Sequence, residues 1–81
     1  VLVSFSHLPK PAADKVYELW LITPAGNPEK AAVFQPEADG SKTLVMTANL
    51  RAYKSMAVTI EMGPDGTSAP TQPPSLQGST V

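Results

Sequence analysis

The stretch VYELWLI, residues 16–22, is the most apolar part of this 81-residue chain and contains its single tryptophan. Side chains alternate between the two faces of a β-strand. The stretch therefore presents Tyr17, Leu19 and Leu21 on one face, and Val16, Glu18, Trp20 and Ile22 on the other. The first face carries no charge, so we expect it to face the core. The second face is also mostly apolar, and a strand that is apolar on both faces needs cover on both.

Several kinds of cover would suit the face that contains Trp20. The sequence leaves open a proline-rich loop, the C-terminal tail, strands preceding Val1, or another molecule. A stacked sugar also fits, because aromatic rings suit the apolar faces of sugars, although no neighbouring aromatic platform is visible. We interpret the cover as structural and retain Glu18, Trp20 and Ile22 as a candidate interaction face.

Composition excludes several classes of protein. The chain has no cysteine, which rules out disulfides and thiolate metal sites. Its formal charge is -1, so it lacks the basic surface typical of nucleic-acid or anionic-lipid binding. Apolar runs reach only 4 residues, whereas a membrane helix needs about 20. No signal peptide is present in this sequence.

Short alternating apolar segments between turn signals predict an all-β domain. Nine prolines and five glycines supply the breaks, and Asp39-Gly40 is a strong tight-turn signal. The predicted strands are Val1–Phe5, Lys15–Ile22, Ala31–Phe34, Thr43–Thr47 and Met56–Met62, with a short edge strand near 75–77. Asn49 could cap a single helical turn. The pattern predicts a small antiparallel β-sandwich of about five to seven strands.

The segment 56–62 has the cleanest alternation in the chain. It predicts one buried face, with Met56, Val58, Ile60 and Met62, and one wet face, with Ala57, Thr59 and Glu61. We place the domain at 1–66 and a Pro/Ser/Thr-rich tail at 67–81. Because Val1 already reads as mid-strand, we expect the chain to be a piece of a longer protein, with its first strands upstream.

Catalytic and metal-binding groups do not form a convincing set. His7 is the only histidine, and a catalytic zinc needs three protein ligands. The methionines at 46, 56 and 62 could suggest copper with His7, but core filling is the usual role of such residues. Asp14 and Glu18 would lie about 13 Å apart along a strand, too far for a retaining or inverting carboxylate pair. We therefore expect no catalytic, cofactor-binding or metal-ligating residue, and no enzyme.

An ordered set of short motifs resembles the C-terminal domain of the anti-sigma-K factor RskA family. Leu8-Pro9 and 15–22 match its Leu-Pro and Val-Tyr-Glu-Leu-Trp-Leu-Ile elements. Further matches, in order, are Gly26-Asn27-Pro28, Ala31–Phe34, Asp39-Gly40, Ala57–Glu61 and the prolines of 69–74. The usual Glu-Pro is Glu61-Met62 here, and the final apolar strand is reduced to Ser75-Leu76-Gln77.

The resemblance implies a non-catalytic sensory or regulatory β-sandwich on the outer side of the cytoplasmic membrane. It would belong to a single-pass membrane anti-sigma factor that is controlled by regulated proteolysis. The implied partners are an extracytoplasmic-function sigma factor, bound by a segment outside this chain, and membrane proteases. Nucleic acid is not an expected partner, and association of copies through sheet edges is a further expectation.

A carbohydrate- or cell-wall-binding module is the alternative interpretation. It is motivated by the apolar Trp20 face and predicts that Trp20 is exposed to solvent beside Tyr17 or Tyr53.

Overall fold

The computed structural model of the chain describes residues 2–47 and 49–79. Within these residues it contains six β-strands and one 3-10 helix. The strands are β1 (Leu2–Phe5), β2 (Lys15–Ile22), β3 (Pro28–Phe34), β4 (Lys42–Val45), β5 (Ser55–Met62) and β6 (Leu76–Ser79), and the 3-10 helix is Leu50–Ala52. The prediction of a small, all-β, antiparallel sandwich is confirmed.

VYELWLI lies in the centre of the larger of two sheets. This sheet has the strand order β3-β2-β5-β6, and the smaller sheet pairs β1 with β4. β2 pairs with β5 along its whole length, from Lys15↔Met62 to Ile22↔Ser55. On its other side it pairs with β3, with an irregularity between Leu19 and Trp20. The most apolar strand therefore has a neighbour on each side, so its backbone groups are paired within the sheet.

The core lies between the two sheets. Tyr17, Leu19 and Val58 point from the larger sheet into it, as the alternation in β2 predicts, and each is at most 1% exposed. Phe34 forms the centre of an aromatic stack, with ring centroids 5.3 Å from Phe5 and 5.6 Å from Tyr17. We call this side of the larger sheet the inner face, and the opposite side the outer face.

Two hydrogen bonds hold the segment between β1 and β2 against the rest of the sandwich. The Tyr17 hydroxyl donates a 2.6 Å hydrogen bond to the Pro9 carbonyl. The Leu8 amide donates to the Gly40 carbonyl at 2.9 Å. Gly40 has a φ of 85°, and a Cβ there would lie 3.0 Å from the Leu8 carbonyl oxygen. The predicted Asp39-Gly40 turn thus also packs the Leu8-Pro9 segment against the sandwich.

Strand boundaries follow the predictions closely for β2 and less closely elsewhere. β3 begins at Pro28, three residues before the predicted start, and its first three residues are exposed. β4 covers 42–45, and the edge strand predicted near 75–77 is β6, at 76–79. Asn49 caps the 3-10 helix as predicted, because its side-chain oxygen accepts a hydrogen bond from the Arg51 amide.

The prediction of a wet face on β5 is wrong. Ala57, Thr59 and Glu61 are all buried, and Thr59 and Glu61 are only 1% exposed. At the end of the strand Met62, predicted to be inward, is 49% exposed, and its sulfur accepts a hydrogen bond from Lys15 Nζ at 2.9 Å. Thr59 and Glu61 are buried because a later part of the chain, residues 66–75, lies across the outer face of the larger sheet and supplies hydrogen-bond partners for its polar groups. We call these residues the strap.

Candidate functional site

Trp20 lies on the outer face of the larger sheet, away from the smaller sheet, and yet it is 0% exposed. Its indole Nε1 donates a 2.8 Å hydrogen bond to Thr59 Oγ1 on the neighbouring strand β5. A buried indole N–H needs such an acceptor, because leaving it unpaired costs the desolvation of that group. The outer face is therefore a second interior, built around one aromatic ring and polar side chains.

Glu61 is the principal acceptor of this second interior. Its Oε2 accepts a 2.6 Å hydrogen bond from Thr59 Oγ1 and a 3.1 Å bond from the Thr71 amide of the strap. Its Oε1 accepts a further short hydrogen bond from Thr71 Oγ1. Trp20, Thr59, Glu61 and Thr71 thus form a continuous chain of donors and acceptors that ends on a carboxylate.

These donors favour the ionised form of Glu61. Burial raises the pKa of the Glu61 carboxyl, but the hydrogen bonds from Thr59 and Thr71 lower it by more, so its pKa lies below the ordinary glutamate value. A carboxylate that accepts several hydrogen bonds is stabilised as the anion even when water is excluded. The network therefore holds a buried negative charge.

Glu18, on β2, is the second buried carboxylate of the outer face and is 0% exposed. Its Oε1 accepts a 2.9 Å hydrogen bond from the Thr67 amide of the strap. Its Oε2 forms no hydrogen bond, and the nearest cation is Lys30 Nζ at 3.8 Å. Lys30 also donates a 2.6 Å hydrogen bond to the Asp65 carbonyl, which brings the turn before the strap to the same place.

Gly66 begins the strap at a point where both the backbone conformation and the close contact favour glycine. Its φ is +75°, and a Cβ there would collide with the Glu18 carboxylate and lie 3.0 Å from a Val33 methyl carbon. The strap can approach Glu18 this closely only because Gly66 has no side chain and accepts a positive φ. The local sequence of the turn therefore positions Thr67 for its bond to Glu18.

The structure places the candidate interaction residues as follows. Trp20 and Glu18 have no exposed surface, and Ile22 is half-buried. A sugar needs an exposed ring face to stack on, and the Trp20 ring has none with the strap in place. Contact between these residues and a partner stays a prediction. Of the possible covers, the structure shows the C-terminal segment of this chain.

The other residues considered from the sequence are dispersed. His7 is exposed, with a φ of 59°. Met46 and Met56 pack against the core, while Met62 lies at the surface beside Lys15. In the described ranges no group of three or more His, Asp or Glu side chains is arranged to hold a metal ion.

The sequence did not reveal which residues form the hydrogen bonds of the outer face, namely Thr59, Glu61, Thr67 and Thr71. A signal was present, because Trp20 and Thr59 both stand at outward positions of strands that the pattern predicts. A buried indole on that face needs an acceptor, and the threonine-rich segment after residue 66 was the nearest source of donors for Glu61. The segment 67–75 packs on the sheet, and the division of the chain at residue 66 stays a prediction.

Comparisons with known proteins give one family. The family described as anti-sigma-K factor RskA, C-terminal, has a sequence model that matches residues 1–77. No curated protein and no solved structure matches the chain at a significant level. In the portion of the chain that the structure describes, no helix has the length and apolar character needed to cross a membrane.

Proposed function

Because the chain belongs to the family of anti-sigma-K factor RskA C-terminal domains, we propose that it is the non-catalytic, extracytoplasmic regulatory domain of a membrane-bound anti-sigma factor. Family membership indicates an anti-sigma factor, and therefore a sigma factor as the general partner of the whole protein. The observation that carries the proposal is the match over residues 1–77, which includes the central strand, the strap and part of β6.

In the proposed mechanism, another segment of the full-length protein binds the sigma factor, and this domain controls proteolysis of the whole. Proteases bind extended backbone, and a paired strand must open before it can be cut. β2 is paired on both sides and buried on both faces, so the folded domain resists cleavage. Loss of this fold on the outer side of the membrane would then permit the cleavage that frees the sigma factor.

The test uses the full-length protein in bacterial cells that carry its sigma factor and a sigma-dependent reporter. Deleting residues 2–79 or destabilising the domain with Gly66→Ala should raise reporter transcription without any external signal. Gly26→Ala is the matched control and should raise transcription less, because it shares the strain of a positive φ while its Cβ meets nothing within 4 Å. Unchanged transcription in the deletion strain would contradict the regulatory role.

The proposed location has a separate test. Protease added to intact spheroplasts should remove the domain once Gly66→Ala has loosened it, while a cytoplasmic marker protein remains whole. A domain that is cut only after the cells are lysed would contradict the extracytoplasmic placement.

A further inference from the structure

We propose that the strap, residues 66–75, is a releasable cover that the buried carboxylates of Glu18 and Glu61 hold on the outer face, and that protonation of Glu61 opens it and exposes Trp20. The inference rests on the contacts of this chain alone and does not depend on the proposed function.

The hydrogen bonds that hold the strap converge on these two side chains. Thr67 donates its amide to Glu18 Oε1 at 2.9 Å, while its hydroxyl donates to the Ala69 carbonyl within the strap at 2.7 Å. Thr71 donates its amide and its hydroxyl to Glu61. One further bond runs from the Ser75 amide to the Val58 carbonyl, 2.7 Å, just before β6. Thus, of these four described hydrogen bonds between strap and sheet, three end on a carboxylate.

The strap has little else to stabilise it. Its residues from Ser68 to Ser75 are exposed, and the prolines at 70, 73 and 74 have no N–H to donate. The strand that follows it, β6, pairs with β5 over only four residues, from Val58↔Leu76 to Ser55↔Ser79. A segment with exposed residues and few main-chain bonds opens at low free energy compared with the central strands of a sheet.

Protonation weakens these bonds for a simple chemical reason. An ionised carboxylate only accepts hydrogen bonds, whereas a carboxylic acid also carries an O–H donor. Thr59 and Thr71 both donate hydrogen bonds to Glu61. If the Glu61 carboxylate takes up a proton, its new O–H group lies against these donors instead of an acceptor, and their hydrogen bonds are weakened. By linkage, a strap that favours the Glu61 anion must itself be weakened when the anion takes up a proton.

The charged groups around the strap come from four elements. Glu18 on β2 and Glu61 on β5 are diagonal neighbours on the outer face, because Glu18 pairs with Thr59. Lys30 on β3 lies near Glu18, and the exposed Asp65 in the preceding turn contacts Lys30 through its carbonyl. Lys30 therefore faces Glu18, with its Nζ 3.8 Å from Glu18 Oε2. The strap donors oppose proton uptake at Glu61.

The experiment measures amide hydrogen exchange of the 81-residue protein by NMR, from neutral pH to about pH 3, as protection factors that correct for intrinsic exchange. The strap amides of Thr67, Thr71 and Ser75 are compared with amides of Leu19 and Val58. Acrylamide quenching of Trp20, the single tryptophan, is followed in parallel. Strap protection should fall and quenching should rise on acidification, at pH values where the central strands remain protected.

Two variants and a control distinguish opening of the strap from unfolding of the whole domain in acid. Glu61→Gln removes the charge on which the Thr71 bonds end, and Thr71→Val removes the hydroxyl donor, so each should lower strap protection at neutral pH by about tenfold or more. Thr71 is exposed, so its variant tests the strap even if Glu61→Gln fails to fold. The control is Glu37→Gln, which removes an exposed carboxylate 3.8 Å from Lys42 and should leave strap protection unchanged.

Three results would overturn the inference. The first is unchanged strap protection in Thr71→Val at neutral pH. The second is loss of protection by strap and central strands together at every pH, which would mean that they open as one unit. The third is a strap that opens while Trp20 remains inaccessible to acrylamide, which would mean that the strap does not cover it.

Discussion

Trp20 on β2 and Thr59 on β5 are joined by a 2.8 Å hydrogen bond from the indole Nε1 to the threonine Oγ1, on the face of the sheet that lies away from the core. This bond explains why the most apolar strand of the chain also has a buried outer side. The Thr59 hydroxyl donates a hydrogen bond to Glu61, and Glu61 accepts another from the Thr71 amide of the strap. The tryptophan is therefore part of the packing that joins the C-terminal segment to the sheet.

Replacing Trp20 with phenylalanine should destabilise the protein by about 2–4 kcal/mol, because it removes buried ring volume and leaves Thr59 without its donor. Urea unfolding followed by far-ultraviolet circular dichroism measures this free energy. Tyr53→Phe is the control, since it removes an exposed 2.8 Å hydrogen bond to Glu29 and no ring volume. Equal unfolding midpoints for the two variants would contradict the structural role of Trp20.

Gly66→Ala and Gly26→Ala form a matched pair. Both glycines have positive φ, +75° and +91°, so alanine at either site should cost about 1 kcal/mol or more in backbone strain. At Gly66 the new methyl group also meets the Glu18 carboxylate, whereas at Gly26 it meets open space. We expect Gly66→Ala to lose at least about 1 kcal/mol more free energy of unfolding. A smaller loss at Gly66 than at Gly26 would show that the strap does not approach Glu18 as described.

The stability of the protein should fall in acid partly through Glu61. Its pKa in the folded state is lowered, so its contribution is fully present above the ordinary glutamate value of 4.5 and is lost as the pH falls through the lowered pKa. Urea midpoints measured across this range should fall less steeply for Glu61→Gln than for the unaltered protein. Glu37→Gln serves as the exposed control, and an identical slope for Glu61→Gln would contradict the stabilisation of the Glu61 anion.

Tyr17 should produce the opposite dependence in alkali. Burial raises the pKa of its phenol above the ordinary value of 10.0, so its contribution is present below that value and is lost as the pH rises through the raised pKa. Tyr17→Phe should cost about 1 kcal/mol at neutral pH, because the bond to the Pro9 carbonyl disappears. It should also remove part of the alkaline loss of stability. The check is a series of urea midpoints on both sides of pH 10.0.

Much of the fold could be predicted because its signals are local. The bounds of β2 are those that the sequence predicted, since VYELWLI is a short, nearly continuous apolar stretch that is followed by the turn residues 24–28. The start of β3 could not be predicted in the same way. Pro28, Glu29 and Lys30 are exposed and carry no apolar pattern, and they are strand residues because they pair with Ile22, Leu21 and Trp20.

The candidate site could be predicted only in part. The alternation in β5 correctly placed Val58 and Thr59 on opposite faces of the sheet. The prediction that the face with Thr59 is exposed to solvent, which rested on its polar residues, was wrong. Whether a threonine or glutamate is buried depends on whether donors reach it, and the Glu61 donors of the strap come from Thr71, in a segment whose sequence has no strand or helix pattern. The apolar nature of the Trp20 face showed that cover was needed, without showing which cover.

The sequence by itself therefore determined the sheet class, the central strand and the side of β2 that faces the core, because these follow from the alternation of neighbouring residues. Only the tertiary structure decided that the outer face is closed, with Glu18 and Glu61 beneath the strap. The reason is that hydrogen bonds between residues 10 and 49 positions apart convert an outward polar surface into an interior, and such pairings leave no periodic trace in the sequence.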